Sequence, residues 1–193
     1  AHSIKDTFIR RKRHERFSSY EYSLESAVLC AIESLELVDT EYVFMLRGDE
    51  WYSNLDAVGR AVKSDHKIYT IPAFFRRWEV SPFHASDHMF AGRTDNIRLM
   101  FQKCLVNMVL KRNDRYMGRP LSPVGMLCYG YVEAKSVGKP DKDAFKKLFG
   151  LMPLDELKYY KVSSEESGRF WYSDFDPKND GSWEGSISSM EEL

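Results

Sequence analysis

The chain has 193 residues, 43% hydrophobic and 14% aromatic, which suits one folded domain with a real core and excludes disorder along its whole length. Its 28 basic and 29 acidic residues leave a net charge of −1, which excludes nucleic-acid binding by bulk charge. No run has the length of a transmembrane helix, and the N-terminal stretch lacks the apolar core of a signal peptide. In chain order, a basic segment over 1–22 comes first, carrying Arg10-Arg11-Lys12-Arg13-His14-Glu15-Arg16. Such a run is either a solvated face or a contact for phosphates or a membrane surface, and it allows peripheral membrane association. The chain opens on Ala1 rather than Met, as expected of a fragment or processed form. Leu24, Ala27, Val28, Ala31 and Leu35 then fall at helical spacing and predict a helix over 23–37, with Ser23 as N-cap and Glu25 in the first turn.

Tyr42-Val43-Phe44-Met45-Leu46 is short and apolar throughout, and predicts a strand buried on both faces, as inside an α/β sheet. A helix is expected over 55–62. A second strand, Lys67 to Phe75, is interrupted by Pro72, which marks a bulge, an edge or the strand's end. Pro82-Phe83-His84-Ala85-Ser86-Asp87-His88 forms a tight segment leading into Met89-Phe90-Ala91-Gly92, a short buried strand or turn. Thr94 or Asp95 is expected to cap a helix over 96–110 with Ile97, Met100, Phe101, Cys104, Leu105 and Met108 facing the core. After a loop at Gly118-Arg119-Pro120, Ser122-Pro123 starts another helix; Phe145, Leu148 and Phe149 anchor a shorter one, and Tyr159 to Val162 is a terminal strand. An α/β domain is thus expected over 23–173, with an acidic, loosely packed tail over 174–193. Cys30, Cys104 and Cys128 are widely separated and form no CxxC pair, so a cytoplasmic setting without a disulfide framework is expected.

Two constellations carry candidate chemistry. Arg47-Gly48-Asp49-Glu50 follows the first strand, at the carboxyl end where α/β sheets deliver ligand-binding residues. Carboxylates there suit Mg²⁺ or Mn²⁺ held with substrate phosphates, Gly48 lets backbone approach a diphosphate, and Arg47 pairs with phosphate. The same tetrapeptide also reads as an ordinary turn before a helix. His84-Ala85-Ser86-Asp87-His88 is the second. The two histidines have zinc spacing but no accompanying Glu, and Pro82 opposes a helix. Asp87 reads instead as an acid/base or hydroxyl-orienting group flanked by imidazole donors, or as a capping residue beside a packed His84. Trp51, Trp78, Arg76 and Arg77 suit stacking on a base or sugar, or a core. No P-loop, GxGxxG or GxSxG pattern occurs.

Taken collinearly, Tyr42 to Tyr52, Lys67-Ile68-Tyr69-Thr70, Phe74-Phe75-Arg76-Arg77 and Pro82 to Gly92 resemble the WavE-type lipopolysaccharide-synthesis family, found in bacteria and large DNA viruses. The resemblance covers about 24–110 and continues more weakly through Ser122-Pro123, Leu127 to Tyr131 and Tyr160-Lys161-Val162. It implies a single GT-A-like domain, a central mixed sheet flanked by helices, with part of the N-terminal nucleotide-binding half lacking. It also implies a glycosyltransferase moving a sugar from a nucleotide-sugar donor to a glycan, glycolipid or lipopolysaccharide-type acceptor. Asp49 and Glu50 would then hold Mn²⁺ or Mg²⁺, although GT-A enzymes usually carry Asp-x-Asp there. Asp87 with His88 would act on the acceptor hydroxyl, and Arg47, Trp51, Arg76 and His84 would bind substrate. Two other readings are a metal-dependent phosphoryl-transfer or nuclease-type enzyme using Asp49, Glu50, Asp87 and His88, and a non-catalytic glycan-binding module.

Overall fold

The computed structural model describes residues 19–47, 50–52, 54–72, 75–110, 115–157, 159–164, 170–173 and 189–193. In chain order the elements are α1 (Ser19–Glu36), β1 (Tyr42–Leu46), β2 (Glu50–Tyr52), α2 (Leu55–Asp65), β3 (Ile68–Thr70), β4 (Met89–Arg93) and α3 (Thr94–Val109). There follow β5 (Arg115–Tyr116), β6 (Arg119–Pro120), α4 (Pro123–Lys135), α5 (Lys142–Leu148), β7 (Phe149–Leu151), α6 (Leu154–Leu157), β8 (Tyr159–Ser164) and β9 (Phe170–Ser173). The class is mixed α/β, with a mixed four-stranded sheet ordered β1-β4-β3-β7. The first two pairings are antiparallel and the β3–β7 pairing is parallel. A separate antiparallel sheet runs β2-β8-β9, and β5–β6 is a two-stranded hairpin.

Strand β4 is the organising element. Its side chains alternate, so Phe90 enters the core built by α1, α3 and α4, while Met89 and Ala91 enter the one built by α2 with Ile71, Met152 and Leu157. A strand covered on both faces must be apolar at every position, and Met89 to Gly92 is buried throughout. The expectation of double burial attached to β1 belongs to β4. Strand β1 has the expected limits but pairs with β4 alone among the described residues, with Phe44 37% and Leu46 40% exposed. Its apolar run partly covers the core through Val43 and Met45, while Phe44 leans toward Gly59 of α2.

Helix α3 buries Ile97, Met100, Phe101, Cys104 and Leu105 as its spacing predicts, with Met108 half-buried. It begins earlier than expected, and neither Thr94 nor Asp95 caps it. The N-cap is Arg93, without a side-chain cap bond. Thr94 instead donates from Oγ1 to the carbonyl of Thr40 (2.6 Å) and from its amide to Glu41 (2.9 Å), which anchors the entry to β1. Asp95 accepts from Arg98 at 2.9 Å. Helix α1 likewise starts at Ser19, so Ser23 lies inside it and is no cap, and Glu25 is buried rather than solvated.

The second strand ends at Thr70 because Pro72 opens a turn closed by the Phe75 amide on the Pro72 carbonyl (3.0 Å). Phe149 begins β7 rather than extending α5. There Gly150 lies in register with Tyr69, and a Cβ would stand 2.6 Å from that ring. Of the expected tail, residues 174–188 lie outside the described residues; at its end Leu193 is 2% exposed and joins the main core, with Met190 packed against it.

Candidate functional site

Arg47, the first residue of one constellation, meets the other through the β1–β4 pairing. Leu46 is opposite Met89, and one residue further the amide of Arg47 donates to the carbonyl of His88 at 3.3 Å. The carboxyl end of β1 is thereby fixed against the segment 84–88. Arg47, His84 and Asp87 line one cavity of about 480 Å³, whose remaining walls come from α1, the end of β1, Phe90, Phe101 and the first turn of α4. Those walls are mainly apolar (Leu24, Val28, Met45, Phe101, Leu127 among them), so three polar groups converge in an apolar pocket of ligand size.

Segment 81–88 is held from several sides and is buried apart from Asp87. Phe83 takes a positive φ of 59°, a conformation bulky residues rarely adopt, and its ring is wedged edge-on against Trp78, Tyr116, Tyr129 and Phe145. That turn directs the next residue toward α4. Thr70 Oγ1 donates to the Ser86 carbonyl at 2.7 Å, and the Tyr52 hydroxyl to that of His88 at 3.2 Å. The backbone carrying Asp87 is therefore braced on both sides, while its own carboxylate stays half exposed.

His84 is 9% exposed, and its Nδ1 lies 2.6 Å from Ser122 Oγ. Ser122 is the N-cap of α4, and the same oxygen accepts from the Gly125 amide at 3.0 Å. Ser122 Oγ also meets Ser81 Oγ at 3.4 Å, so the Nδ1 contact serves either tautomer: Nδ1 accepting from the hydroxyl with the ring proton on Nε2, or Nδ1–H donating to it. Burial, assisted by the positive charge of Arg76, pushes the His84 pKa down to about 4, so the ring is neutral near pH 7. The site thus offers an arginine on a backbone tied to His88, a neutral imidazole and a water-accessible carboxylate.

The other expected residues fall around this cavity with less definition. His88 is buried and does not line it; its Nε2 is 3.9 Å from Asp87 Oδ1, too long for a hydrogen bond. Arg76 does not line the cavity either, but its amide donates to the His84 carbonyl at 3.2 Å. Asp49 lies outside the described residues. Glu50 and Trp51 form β2 by their backbones, paired with Lys161 and Tyr160, and their side chains lie outside what is described. Among the described residues no group of three or more His, Cys, Asp or Glu side chains is placed to hold a metal ion. Among the described residues, Asp87 is the one carboxylate that lines the cavity.

Ser122, Ser81 and the apolar walls were not singled out as site residues from sequence. Ser122-Pro123 was legible as a helix start, but its second contact, to His84, depends on tertiary approach. No protein-family model, curated protein or solved structure matches the chain. Among the described residues, no helix is long and apolar enough to cross a membrane.

Proposed function

We propose that this chain is a GT-A-like glycosyltransferase of the WavE type, transferring a sugar from a nucleotide-sugar donor to a glycan or glycolipid acceptor. The observation that supports it is the convergence of Arg47, His84 and Asp87 on one cavity, with Arg47 two residues before Asp49. Sugar transfer needs charge stabilisation on the departing diphosphate and, for inversion, a base on the acceptor hydroxyl. In this reading Arg47 faces the diphosphate and Asp87, half open to water, accepts the acceptor's proton. His84, in its Nε2–H tautomer, donates to a sugar or phosphate oxygen. Its neutral state matters here, because it orients the ligand without neutralising Asp87. Mn²⁺ or Mg²⁺ on Asp49 and Glu50 would add charge at the diphosphate, and no step above depends on it.

The test is a thermal shift with UDP-, GDP- and CDP-sugars, with and without Mn²⁺. A ligand that binds only the folded state must raise Tm. One sugar nucleotide is expected to do so, with the shift reduced in Arg47→Ala. A chain unmoved by every sugar nucleotide would not be a donor-using transferase.

A further inference from the structure

A second surface, formed by three short loops, has a composition that neither the fold nor the cavity requires. The turn 77–80, the β5–β6 hairpin and the loop 136–140 are tied together by contacts between them. Arg119 donates to the Glu79 carbonyl at 3.1 Å, Lys142 pairs with the Glu79 carboxylate at 3.3 Å, and Lys139 sits 5.8 Å over the Tyr116 ring. Tyr116 in turn packs edge-on against Trp78. Each loop projects an apolar side chain into solvent at its tip: Val80 is 54%, Met117 74% and Val137 107% exposed.

The hairpin is the most informative of the three. Its two central residues, Met117 and Gly118, have φ of 50° and 80°, the signature of a type I′ turn. Asn, Asp or Gly favour the first of those positions, and Met there is both conformationally costly and largely exposed. A local rule broken without gain to the fold points to a use outside it. Arg115 and Arg119 flank that Met, with Arg77 and Lys139 on the adjoining loops and Lys142 at the start of α5. Carboxylates on these segments are Glu79, engaged by Lys142, Asp141, whose oxygen accepts from the Ala144 amide as the α5 N-cap, and exposed Asp143 in the first turn of α5. The whole chain carries a net charge of −1, so this basic surface is a local asymmetry.

We infer that this face docks the protein on an anionic membrane surface, with Met117, Val137 and Val80 entering the headgroup layer and the ring of Arg and Lys meeting lipid phosphates. Apolar tips inside a cationic rim match the two terms by which peripheral proteins hold a bilayer: buried apolar area and attraction to acidic lipid. The inference is independent of the sugar-transfer reading.

Vesicle flotation of the full chain tests it, using phosphatidylcholine with and without phosphatidylserine. The informative variant is Met117→Asn with Val137→Ser. Asn suits the left-handed turn position and Val137 touches nothing, so Tm should hold or rise. The wild-type chain should float with the phosphatidylserine vesicles, release at high salt, and ignore phosphatidylcholine alone. The double variant should lose about tenfold or more in the bound fraction at limiting lipid. Unchanged flotation of the variant would assign binding elsewhere, for instance to the basic run 10–16, and overturn the inference. So would a wild-type chain that floats with neither vesicle.

Discussion

The burial of a neutral histidine beside the α4 N-terminus makes a quantitative prediction for stability against pH. In the unfolded chain His84 titrates near its ordinary 6.5, whereas in the folded protein desolvation, and secondarily Arg76, holds it at about 4. Above 6.5 both states are neutral there and no free energy is at stake. As pH falls below 6.5 the unfolded chain takes up the proton first, so folded stability is lost progressively until pH reaches about 4. That interval corresponds to ~3 kcal/mol at ~1.4 kcal/mol per pH unit. With a urea slope of about 2–3 kcal/mol/M for a chain this size, the urea midpoint should fall by roughly 1–1.5 M between neutral pH and pH 4 from this group. Carboxylates contribute over part of the same range, so the assay compares the wild-type chain with His84→Asn, whose amide can replace Nδ1 as the hydrogen-bond partner of Ser122. The difference in slope between the two isolates His84. Parallel curves, or an NMR titration placing His84 near 6.5 in the folded protein, would refute the assignment of a buried, neutral ring.

Other outcomes follow from the same contacts. Ser122→Ala removes the cap on the Gly125 amide and the partner of His84 together, and should lower stability by ~2–3 kcal/mol in urea unfolding, whereas Ser122→Thr should recover most of that. Gly150→Ala forces a Cβ into the Tyr69 ring across the β3–β7 pair and should cost ~1–3 kcal/mol, read as a lowered Tm; an unchanged Tm would contradict the register. Cys30 is exposed, while burial raises the Cys104 thiol to about 12 and pushes the Cys128 thiol up further. A thiol reagent should therefore label Cys30 in the native protein and reach Cys104 and Cys128 only on unfolding.

How much of this was legible beforehand depended on which physical signal each element carries. The buried face of α3 was legible because its apolar residues repeat at helical spacing over about three turns, which only one orientation satisfies. The limits of β1 were legible too, but its place at the edge was not, since an apolar pentapeptide reads the same whether one neighbour or two pair with it. Strands β7 and β9 are too short to show any period, and Phe149 was absorbed into the helix before it. The tail was judged by its acidic, Ser- and Gly-rich composition, which hides the anchoring role of Leu193. At the site, both constellations were visible as residue types, yet Arg47 meets the second only through the antiparallel register that sets it against His88. The Ser122–His84 contact joins residues with no local relation, and no pattern in either segment announces it.

The central claim is that Asp87 acts on an acceptor while Arg47 and His84 hold the donor in the same cavity. The most direct measurement is release of nucleoside diphosphate from a sugar nucleotide that raises Tm, comparing the wild-type chain with Asp87→Asn. Asp87 is half exposed, so the variant should fold with an unchanged Tm and keep its ligand-induced shift. Loss of a positioned base should slow release by ~10²–10⁴-fold. Equal rates in the two proteins, or no release from any UDP-, GDP- or CDP-sugar, would contradict the account.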